Sequence, residues 1–236
     1  MVIYLQGIIL CGGYGTRMGH LTEKTPKSLL KLGNYTLLDY ILKNIDREGV
    51  NKVYLAVGHL KDQIIDHVEQ VKDNYRLKID YISSSAAANT AGSVLQSKDI
   101  FSDDFFVTVG DDITNIDFRD FYDRHKESKA IASIAAIEYE TKYDYGVLET
   151  KNNYVTGFKE KPINKFLTNT GIYFFKPQIF NHIEFGDGFA RDVFPRLLKR
   201  NMKIYSYTSN FFWYSVGNLE QYNFYNKNLH LIEKYF

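Results

Sequence analysis

Several features are scarce or missing in this sequence. The 236 residues include one cysteine, Cys11, which excludes an intrachain disulfide and a cysteine-rich zinc site. Only four prolines occur, which leaves little room for flexible hinges. No apolar run approaches the length of a membrane span, and the first residues lack the basic region of a signal peptide. We therefore expect a cytoplasmic protein with no membrane partner.

An excess of charge of one sign is also missing. The chain has 29 basic and 28 acidic residues, for a formal net charge of +1. A general nucleic-acid-binding protein needs surplus positive charge to neutralise phosphates, so we expect no nucleic-acid partner. A local basic pocket stays compatible with this balance. The length suits one large domain better than two, and we predict a single domain over residues 1–236.

Predicted strands and helices alternate along the first two thirds of the chain. Apolar runs predict strands over residues 2–10, 52–57, 77–82, 105–109 and 130–137. Apolar residues at helical spacing predict helices over residues 35–48, 62–71 and 118–125, and residues 91–101 are predicted to form a helix or a helical turn. This alternation is typical of an α/β fold with a parallel, doubly wound sheet.

The pattern changes in the last third. Short apolar runs over residues 145–150 and 154–158 predict a hairpin, with Lys151-Asn152-Asn153 as its turn. Further strands are predicted over residues 168–175, 203–208 and 211–216, and helices over residues 189–199 and 218–233. Asn218 and Gln221 are predicted to form a capping box at the start of the last helix.

A glycine-rich segment follows the first strand and reads Cys11-Gly12-Gly13-Tyr14-Gly15-Thr16-Arg17. Ligands of open α/β sheets bind at the carboxyl ends of the strands. Glycines there let backbone N–H groups approach phosphate oxygens closely, and Arg17 and Lys27 add cations suited to phosphate. The segment predicts a phosphate-binding loop. The alternative is a tight strand-to-helix turn beside two surface cations.

A second candidate site, Gly110-Asp111-Asp112, follows the strand predicted over residues 105–109. A carboxylate at the end of a strand can hold Mg²⁺, whose preferred ligands are oxygens. A turn built from glycine and aspartate is equally compatible with these three residues.

The order of these motifs resembles the signature of the sugar-phosphate nucleotidyltransferases. The match runs through Gly12-Gly13-x-Gly15-Thr16-Arg17, then Leu21-Thr22, then Thr25-Pro26-Lys27. It differs from the dinucleotide fingerprint and from the P-loop. The resemblance covers essentially the whole chain. It implies a three-layer, Rossmann-like (glycosyltransferase-A-like) nucleotidyltransferase fold with a mostly parallel mixed sheet and a C-terminal sugar-binding elaboration.

The resemblance also implies a division of labour along the chain. A nucleotide-binding half would cover about residues 1–115 and a sugar-phosphate-binding half about residues 116–236. Nucleotide binding falls to Leu10, Cys11, Gly12, Gly13, Gly15, Thr16, Asn89 and Thr90. The last two belong to Asn89-Thr90-Ala91-Gly92, which matches a Gly-Thr-Ala-Gly segment of the family with asparagine replacing the first glycine.

Further motifs match the sugar-binding half of the family: Tyr145-Gly146, Glu160-Lys161-Pro162 and Asn169-Thr170-Gly171-Ile172-Tyr173. The resemblance assigns sugar-phosphate binding to Asp112, Tyr145, Gly146, Glu160, Asn169 and Thr170. It assigns the catalytic roles to Arg17, Lys27, Asp111 and Lys161, with Asp111 as a ligand of Mg²⁺.

The implied reaction joins a nucleoside triphosphate to a sugar 1-phosphate, giving a nucleoside-diphosphate sugar and pyrophosphate. No glutamine of the kind that reads thymine occurs between residues 83 and 90, which favours GTP with mannose 1-phosphate over thymidine or uridine nucleotides with glucose 1-phosphate. A cytidylyltransferase for a small alcohol phosphate is the nearest alternative. The oligomeric state stays open, including a homo-oligomer.

One position departs from the family pattern. Ser215, in Trp213-Tyr214-Ser215-Val216-Gly217, stands where the family has its second metal-binding aspartate. Three alternatives follow. In the first, Asp111, phosphates and water hold the metal, with or without Ser215. In the second, Asp112 is a further metal ligand. In the third, the chain is a weakly active, regulatory nucleotide-sugar-binding subunit.

Overall fold

Seven strands form one sheet through the centre of the computed structural model, which describes residues 4–236. Their order is β12-β8-β11-β6-β1-β4-β5, and every strand except β11 runs in the same direction. The described strands are β1 (Gln6–Cys11), β2 (Lys31–Leu32), β3 (Tyr35–Thr36), β4 (Lys52–Val57), β5 (Lys78–Ser83), β6 (Phe105–Val109), β7 (Asp112–Thr114), β8 (Ala132–Lys142), β9 (Val147–Lys151), β10 (Tyr154–Lys159), β11 (Ile163–Phe175), β12 (Ile204–Tyr207) and β13 (Trp213–Ser215).

Helices connect the strands and cover the sheet. The described α-helices are α1 (Leu37–Arg47), α2 (Lys61–Val71), α3 (Asn89–Gly92), α4 (Phe118–Ser128), α5 (Phe194–Lys199), α6 (Leu219–Lys227) and α7 (His230–Glu233). Short 3₁₀-helical segments cover Thr16–Thr22, Lys27–Leu29, Lys72–Asn74, Ala86–Ala88, Leu95–Ser97 and Pro177–His182, and a π-helical turn covers Phe189–Val193. No helix within residues 4–236 is long and apolar enough to cross a membrane. The predicted α/β class with a mostly parallel mixed sheet is confirmed.

Both faces of the sheet are buried. Successive side chains of a strand point to opposite faces, and the neighbours Phe105 and Phe106 accordingly belong to different apolar clusters, as do Phe174 and Phe175. One cluster includes the inward faces of α1, α2 and α4, and the other includes the residues of Phe189–Val193 and α5. The sheet is therefore the middle layer between two helical layers.

The start of α1 shows how the sequence fixes an element. Thr36 Oγ1 accepts a hydrogen bond from the Asp39 N–H at 3.1 Å, and Asp39 Oδ2 accepts one from the Thr36 N–H at 2.8 Å. This reciprocal capping box satisfies two N–H groups that the helix itself leaves unpaired. Behind it, Leu38, Ile41 and other apolar residues at helical spacing are fully buried against the sheet.

Two predicted helices are wrong in extent. In the segment predicted as a helix or helical turn over residues 91–101, α3 ends at Gly92, and the N–H groups of Val94 and Ser97 donate three residues back, to the carbonyls of Ala91 and Val94 at 3.0 and 2.9 Å, so tighter turns replace the α-helix. The helix predicted over residues 218–233 breaks at Asn228, whose side-chain amide donates to the Phe224 carbonyl at 2.8 Å.

The ends of several predicted elements also differ. Residues 2 and 3 of the first predicted strand lie outside the described residues, and β1 begins at Gln6. The strand predicted over residues 211–216 shortens to β13, which pairs with β7 away from the main sheet. At the last helix, Asn218 caps as predicted, but the Gln221 side chain accepts from the Gly217 N–H rather than from Asn218. The hairpin of β9 and β10 is confirmed.

Phe174 on β11 tests the aromatic core. Its ring is fully buried, with the Phe121 ring 4.9 Å and the Phe106 ring 5.9 Å away between centroids. We expect Phe174→Ala to lower the free energy of unfolding in urea by about 3–5 kcal/mol, since it leaves a cavity. Phe166 on the same strand is 57% exposed, and Phe166→Ala should change stability by less than about 0.5 kcal/mol. Equal losses in the two variants would contradict this account of the core.

Candidate active site

A cleft opens at the carboxyl ends of β1 and β6, the point at which the strand order reverses. β4 lies on one side of β1 and β6 on the other, so the connections after β1 and β6 diverge and leave a crevice between them. The Gly110 N–H donates to the Leu10 carbonyl at 3.0 Å, which joins the two strand ends. The cleft has a volume of about 330 Å³.

Ten of the residues predicted for the site line this cleft. They are Leu10, Cys11, Gly12, Gly13, Gly15, Arg17, Lys27, Asn89, Thr90 and Asp111. Thr16 lies in the same loop, but its exposed side chain is not part of the lining. The cleft therefore brings together segments that are up to about 100 positions apart in the chain.

The glycine loop has a backbone that only a few residues tolerate. Gly15 has a φ of 66°, and a Cβ there would lie 3.0 Å from Thr22 Cγ2 and 3.1 Å from Lys27 Cβ. Thr22 Oγ1 donates to the Gly15 carbonyl at 3.0 Å and fixes the turn. The N–H groups of Gly13, Tyr14 and Gly15 donate to no backbone carbonyl within residues 4–236, so they are free to bind an anion.

Two cations and one carboxylate set the charge of the cleft. Lys27 Nζ forms an ion pair with Asp111 Oδ2, and both side chains are largely shielded from solvent. Arg17 pairs with no carboxylate among the described residues. Arg17 lies next to the end of β13, since a Cβ added to Gly217 would be 3.6 Å from Arg17 Nη1. The surplus positive charge suits a polyphosphate.

The thiol of Cys11 lies beneath the cleft. Burial raises the pKa of the Cys11 thiol far above its ordinary value, the charge of Asp111 adds to this, and a hydrogen bond with Ser28 opposes it. The thiol therefore stays protonated and serves as a small packing group. Its Sγ would lie only 2.5 Å from a Cβ on Gly110, so the glycine at position 110 is required by this contact.

The structure gives a physical reason for asparagine at position 89. Asn89 has a φ of 53°, in the left-handed region that glycine and asparagine tolerate best. Its side-chain amide donates to the Gly186 carbonyl at 2.7 Å. Thr90 Oγ1 accepts a hydrogen bond from the Phe189 N–H at 3.1 Å, so both side chains hold the 186–189 segment against the cleft.

Asp112 and Ser215 face each other across the small sheet of β7 and β13. Trp213 Nε1 donates to Asp112 Oδ2 at 2.8 Å. Burial raises the pKa of Asp112 to about 7, the charge of Asp111 adds to this, and hydrogen bonds from Trp213 and Ser215 oppose it. Asp112 is buried and does not line the cleft, contrary to the expectation that it contacts a sugar phosphate directly.

The donor set fits a magnesium ion that is held through a single protein carboxylate. Residues 4–236 contain no group of three or more His, Cys, Asp or Glu side chains placed to share a metal ion. Asp111 lines the cleft, whereas Asp112 is buried against Trp213. Mg²⁺ is commonly bound by one or two carboxylates together with substrate phosphates and water, so Asp111 alone is compatible with it.

The predicted sugar-binding residues do not line the cleft. Tyr145 is 81% exposed. A Cβ added to the next residue, Gly146, would lie 3.0 Å from Glu160 Oε2, so these three residues lie close together on one arm of the molecule. Lys161 is exposed on the same arm, with a φ of 44°. We call the segment 143–162, which includes β9 and β10, the hairpin arm.

The remaining sugar-binding candidates lie on β11. Asn169 Nδ2 donates to the Tyr173 hydroxyl at 3.0 Å. Thr170 is buried, and its Oγ1 donates to the Ala135 carbonyl at 2.8 Å. In this conformation Thr170 supports the strand and has no surface for a ligand.

Four serines line the cleft that the sequence interpretation missed: Ser28, Ser84, Ser85 and Ser93. Ser84 and Ser85 come directly after β5, so the rule that ligands bind at strand ends could have found them. Ser28 is buried, and its hydroxyl lies beside the Cys11 thiol. Its position next to Lys27 was the available signal.

Comparisons with known proteins show the family of the chain. A family model described as nucleotidyl transferase matches residues 6–231. The mannose-1-phosphate guanyltransferase of Yarrowia lipolytica is 30% identical over 222 residues, which cover 90% of this chain and 61% of that protein. The UTP–glucose-1-phosphate uridylyltransferase of Synechocystis sp. is 26% identical over 238 residues, with coverages of 92% and 61%. The chain thus spans about three fifths of these curated relatives.

A solved structure shares the fold. The crystal structure of HddC from Yersinia pseudotuberculosis superimposes with a TM-score of 0.74, over 96% of this chain and 100% of that chain. The two sequences are 23% identical in this comparison, a level at which the likeness shows the fold alone.

The contact between Cys11 and Gly110 gives a test of the cleft floor. We expect Gly110→Ala to lower the free energy of unfolding by about 1–3 kcal/mol, because its new methyl group would overlap Cys11 Sγ. In a Cys11→Ala background the same substitution should cost much less, since the sulfur is gone. Urea unfolding of the four proteins in this double-mutant cycle measures the coupling. A Gly110→Ala penalty that is the same in both backgrounds would disprove the contact.

Proposed function

The chain belongs to the nucleotidyl transferase family, and we propose on that basis that it transfers a nucleoside monophosphate from an NTP to a sugar 1-phosphate. The observation that carries the proposal is the cleft itself. A glycine loop with free N–H groups, Arg17, and the Lys27–Asp111 pair meet at the strand ends where a polyphosphate is best bound.

The reaction requires two anionic substrates to be held together. An oxygen of the sugar phosphate attacks the α-phosphorus of the NTP, the bond from that phosphorus to the bridging oxygen breaks, and pyrophosphate leaves. The nucleophile is already an anion, so no general base is needed. Catalysis then depends on positioning and on stabilising negative charge. In this proposal Arg17 binds the β- and γ-phosphates, Lys27 the α-phosphate and Lys161 the incoming sugar phosphate.

A divalent metal fits this chemistry, and nucleotidyltransferases of this family generally use one. We propose Mg²⁺, which supplies positive charge to the phosphates when it is bound. Asp111 would hold it, and the Ser215 hydroxyl is too weak a ligand to do so alone. Lys27 is then free to leave its ion pair with Asp111 and to contact phosphate.

The sugar half of the proposal depends on the hairpin arm. Tyr145, Gly146 and Glu160 are gathered there and Lys161 is exposed beside them, but none lines the cleft. The sugar 1-phosphate would therefore bind between the arm and the cleft, with the arm closing toward the nucleotide. The need for the arm favours a sugar phosphate as the substrate, because a small alcohol phosphate would make fewer contacts with the arm.

GTP and mannose 1-phosphate are the proposed substrates. The name of the Yarrowia lipolytica relative supports this pair, and the name of the Synechocystis relative supports UTP with glucose 1-phosphate as the alternative. A regulatory nucleotide-sugar-binding subunit is the second candidate function. It is favoured by Ser215 together with the burial of Asp112, which leave one accessible carboxylate at the proposed metal site. Assembly into a homo-oligomer stays part of the proposal.

Product formation tests the reaction. We expect pyrophosphate release with GTP, mannose 1-phosphate and Mg²⁺ above all other NTP and sugar 1-phosphate pairs. Lys27→Ala or Arg17→Ala should lower the rate by about 10²–10³, in line with the loss of one charge-stabilising group. Lys24→Ala is the control, because Lys24 is exposed in the same segment and does not line the cleft.

Two results would contradict the proposal. A folded protein that releases no pyrophosphate with any pair would exclude the transferase, and nucleotide-sugar binding without turnover, even in Ser215→Asp, would support the regulatory subunit instead. Unchanged rates in Lys27→Ala and Arg17→Ala would show that the reaction takes place elsewhere.

A further inference from the structure

We propose that a second groove, between α1 and α2, binds a small ring compound that carries a phosphate group. The groove has a volume of about 900 Å³, within the range of about 300–1,000 Å³ that is usual for small-molecule sites. Lys27 and Ser28 line the cleft, whereas Leu29, at the end of the same turn, lines the groove. No residue lines both, so the groove is separate from the proposed reaction site.

Positive side chains outnumber negative ones around this groove. The cationic lining residues are Lys31, Lys43, Arg47 and Arg76, and the acidic ones are Asp39 and Asp46. His67 also lines it. Arg47 is already paired, since its Nε lies 3.2 Å from Glu48 Oε1. A ligand that carries negative charge would complement the cations that stay unpaired.

The two acids are already hydrogen-bonded to other groups and form no ion pair with the lysines of the groove. Asp39 Oδ1 lies 2.8 Å from His67 Nε2, and Asp39 Oδ2 accepts from the Thr36 N–H. Asp46 Oδ1 accepts from the Arg76 N–H at 2.7 Å, and Asp46 Oδ2 lies 3.5 Å from Arg76 Nε. Both carboxylates are thus bound to structural groups of the groove wall.

Lys31 and Lys43 are the cations that remain. Neither forms an ion pair with a carboxylate anywhere in residues 4–236. Lys43 Nζ lies 3.2 Å from the centre of the Tyr35 ring, which holds the charge at the groove surface. Phosphate oxygens are the acceptors that such lysines bind through charge-assisted hydrogen bonds.

The rest of the wall favours a ring over a bare anion. Tyr35 and Tyr75 line the groove together with the apolar Leu29 and Val71. Burial raises the pKa of the Tyr75 hydroxyl above its ordinary value, so it stays protonated and can donate a hydrogen bond. An inorganic anion would leave the aromatic and aliphatic surface uncovered, whereas a ring compound covers it.

Calorimetric titration with phenyl phosphate tests the site. We expect the double variant Lys31→Gln/Lys43→Gln to bind phenyl phosphate at least about tenfold more weakly than the unaltered protein, since two charge-assisted contacts are lost. Lys98→Gln/Lys203→Gln is the matched control, with the same change in net charge at exposed lysines outside the groove. Thermal unfolding midpoints verify that both proteins are folded. Arg17→Ala should retain this binding event, because Arg17 lines the cleft and not the groove.

Three outcomes would overturn the inference. The first is equal affinity in the groove variant and its control. The second is a loss that occurs in Arg17→Ala instead, which would place the ligand in the cleft. The third is equal affinity for phenyl phosphate and inorganic phosphate, which would exclude a role for the ring. All of these are binding measurements, so a failure of the proposed transferase reaction would not affect them.

Discussion

The ion pair between Lys27 and Asp111 connects the segment after the glycine loop to the end of β6. Each charge compensates the other in a half-buried position, where an isolated charge would be costly. The glycine at position 15 is required partly because its backbone lies against Lys27. The shape of the loop, the position of the lysine and the accessibility of the carboxylate are consequently coupled, and a polyphosphate or a metal ion must compete with this pair for both partners.

The two halves of the chain contribute differently to the site. The residues proposed to bind the nucleotide are already assembled in the cleft, since the loop, the strand ends and the Asn89–Thr90 contacts are all in place. Tyr145, Gly146, Glu160 and Lys161, which are proposed to bind the sugar phosphate, lie on the hairpin arm, whose two strands pair only with each other in the described sheets. A two-stranded ribbon has little stability of its own and can change position at low cost.

The parts of the fold and site that the sequence predicted depend on local rules. Glycines after an apolar strand and a carboxylate after another strand each act within a few positions, and the predicted family is confirmed by the family match over residues 6–231. The features that the sequence did not predict involve long-range contacts. The Asp187 carbonyl accepts from the N–H groups of Ala91 and Gly92 in the first turn of α3, and Asp112 is buried beside β13, which pairs with β7. Nothing near residue 91 or residue 112 in the sequence indicates either contact.

A crystal structure with a non-hydrolysable nucleoside triphosphate tests the central claim most directly, because it locates the phosphates relative to the loop. The account predicts phosphate oxygens within hydrogen-bonding distance of the N–H groups of Gly13, Tyr14 and Gly15, the Arg17 guanidinium beside them, and Lys27 moved from Asp111 to phosphate. A triphosphate bound only in the groove between α1 and α2, or a loop that contacts no phosphate while the Lys27–Asp111 pair stays closed, would contradict it.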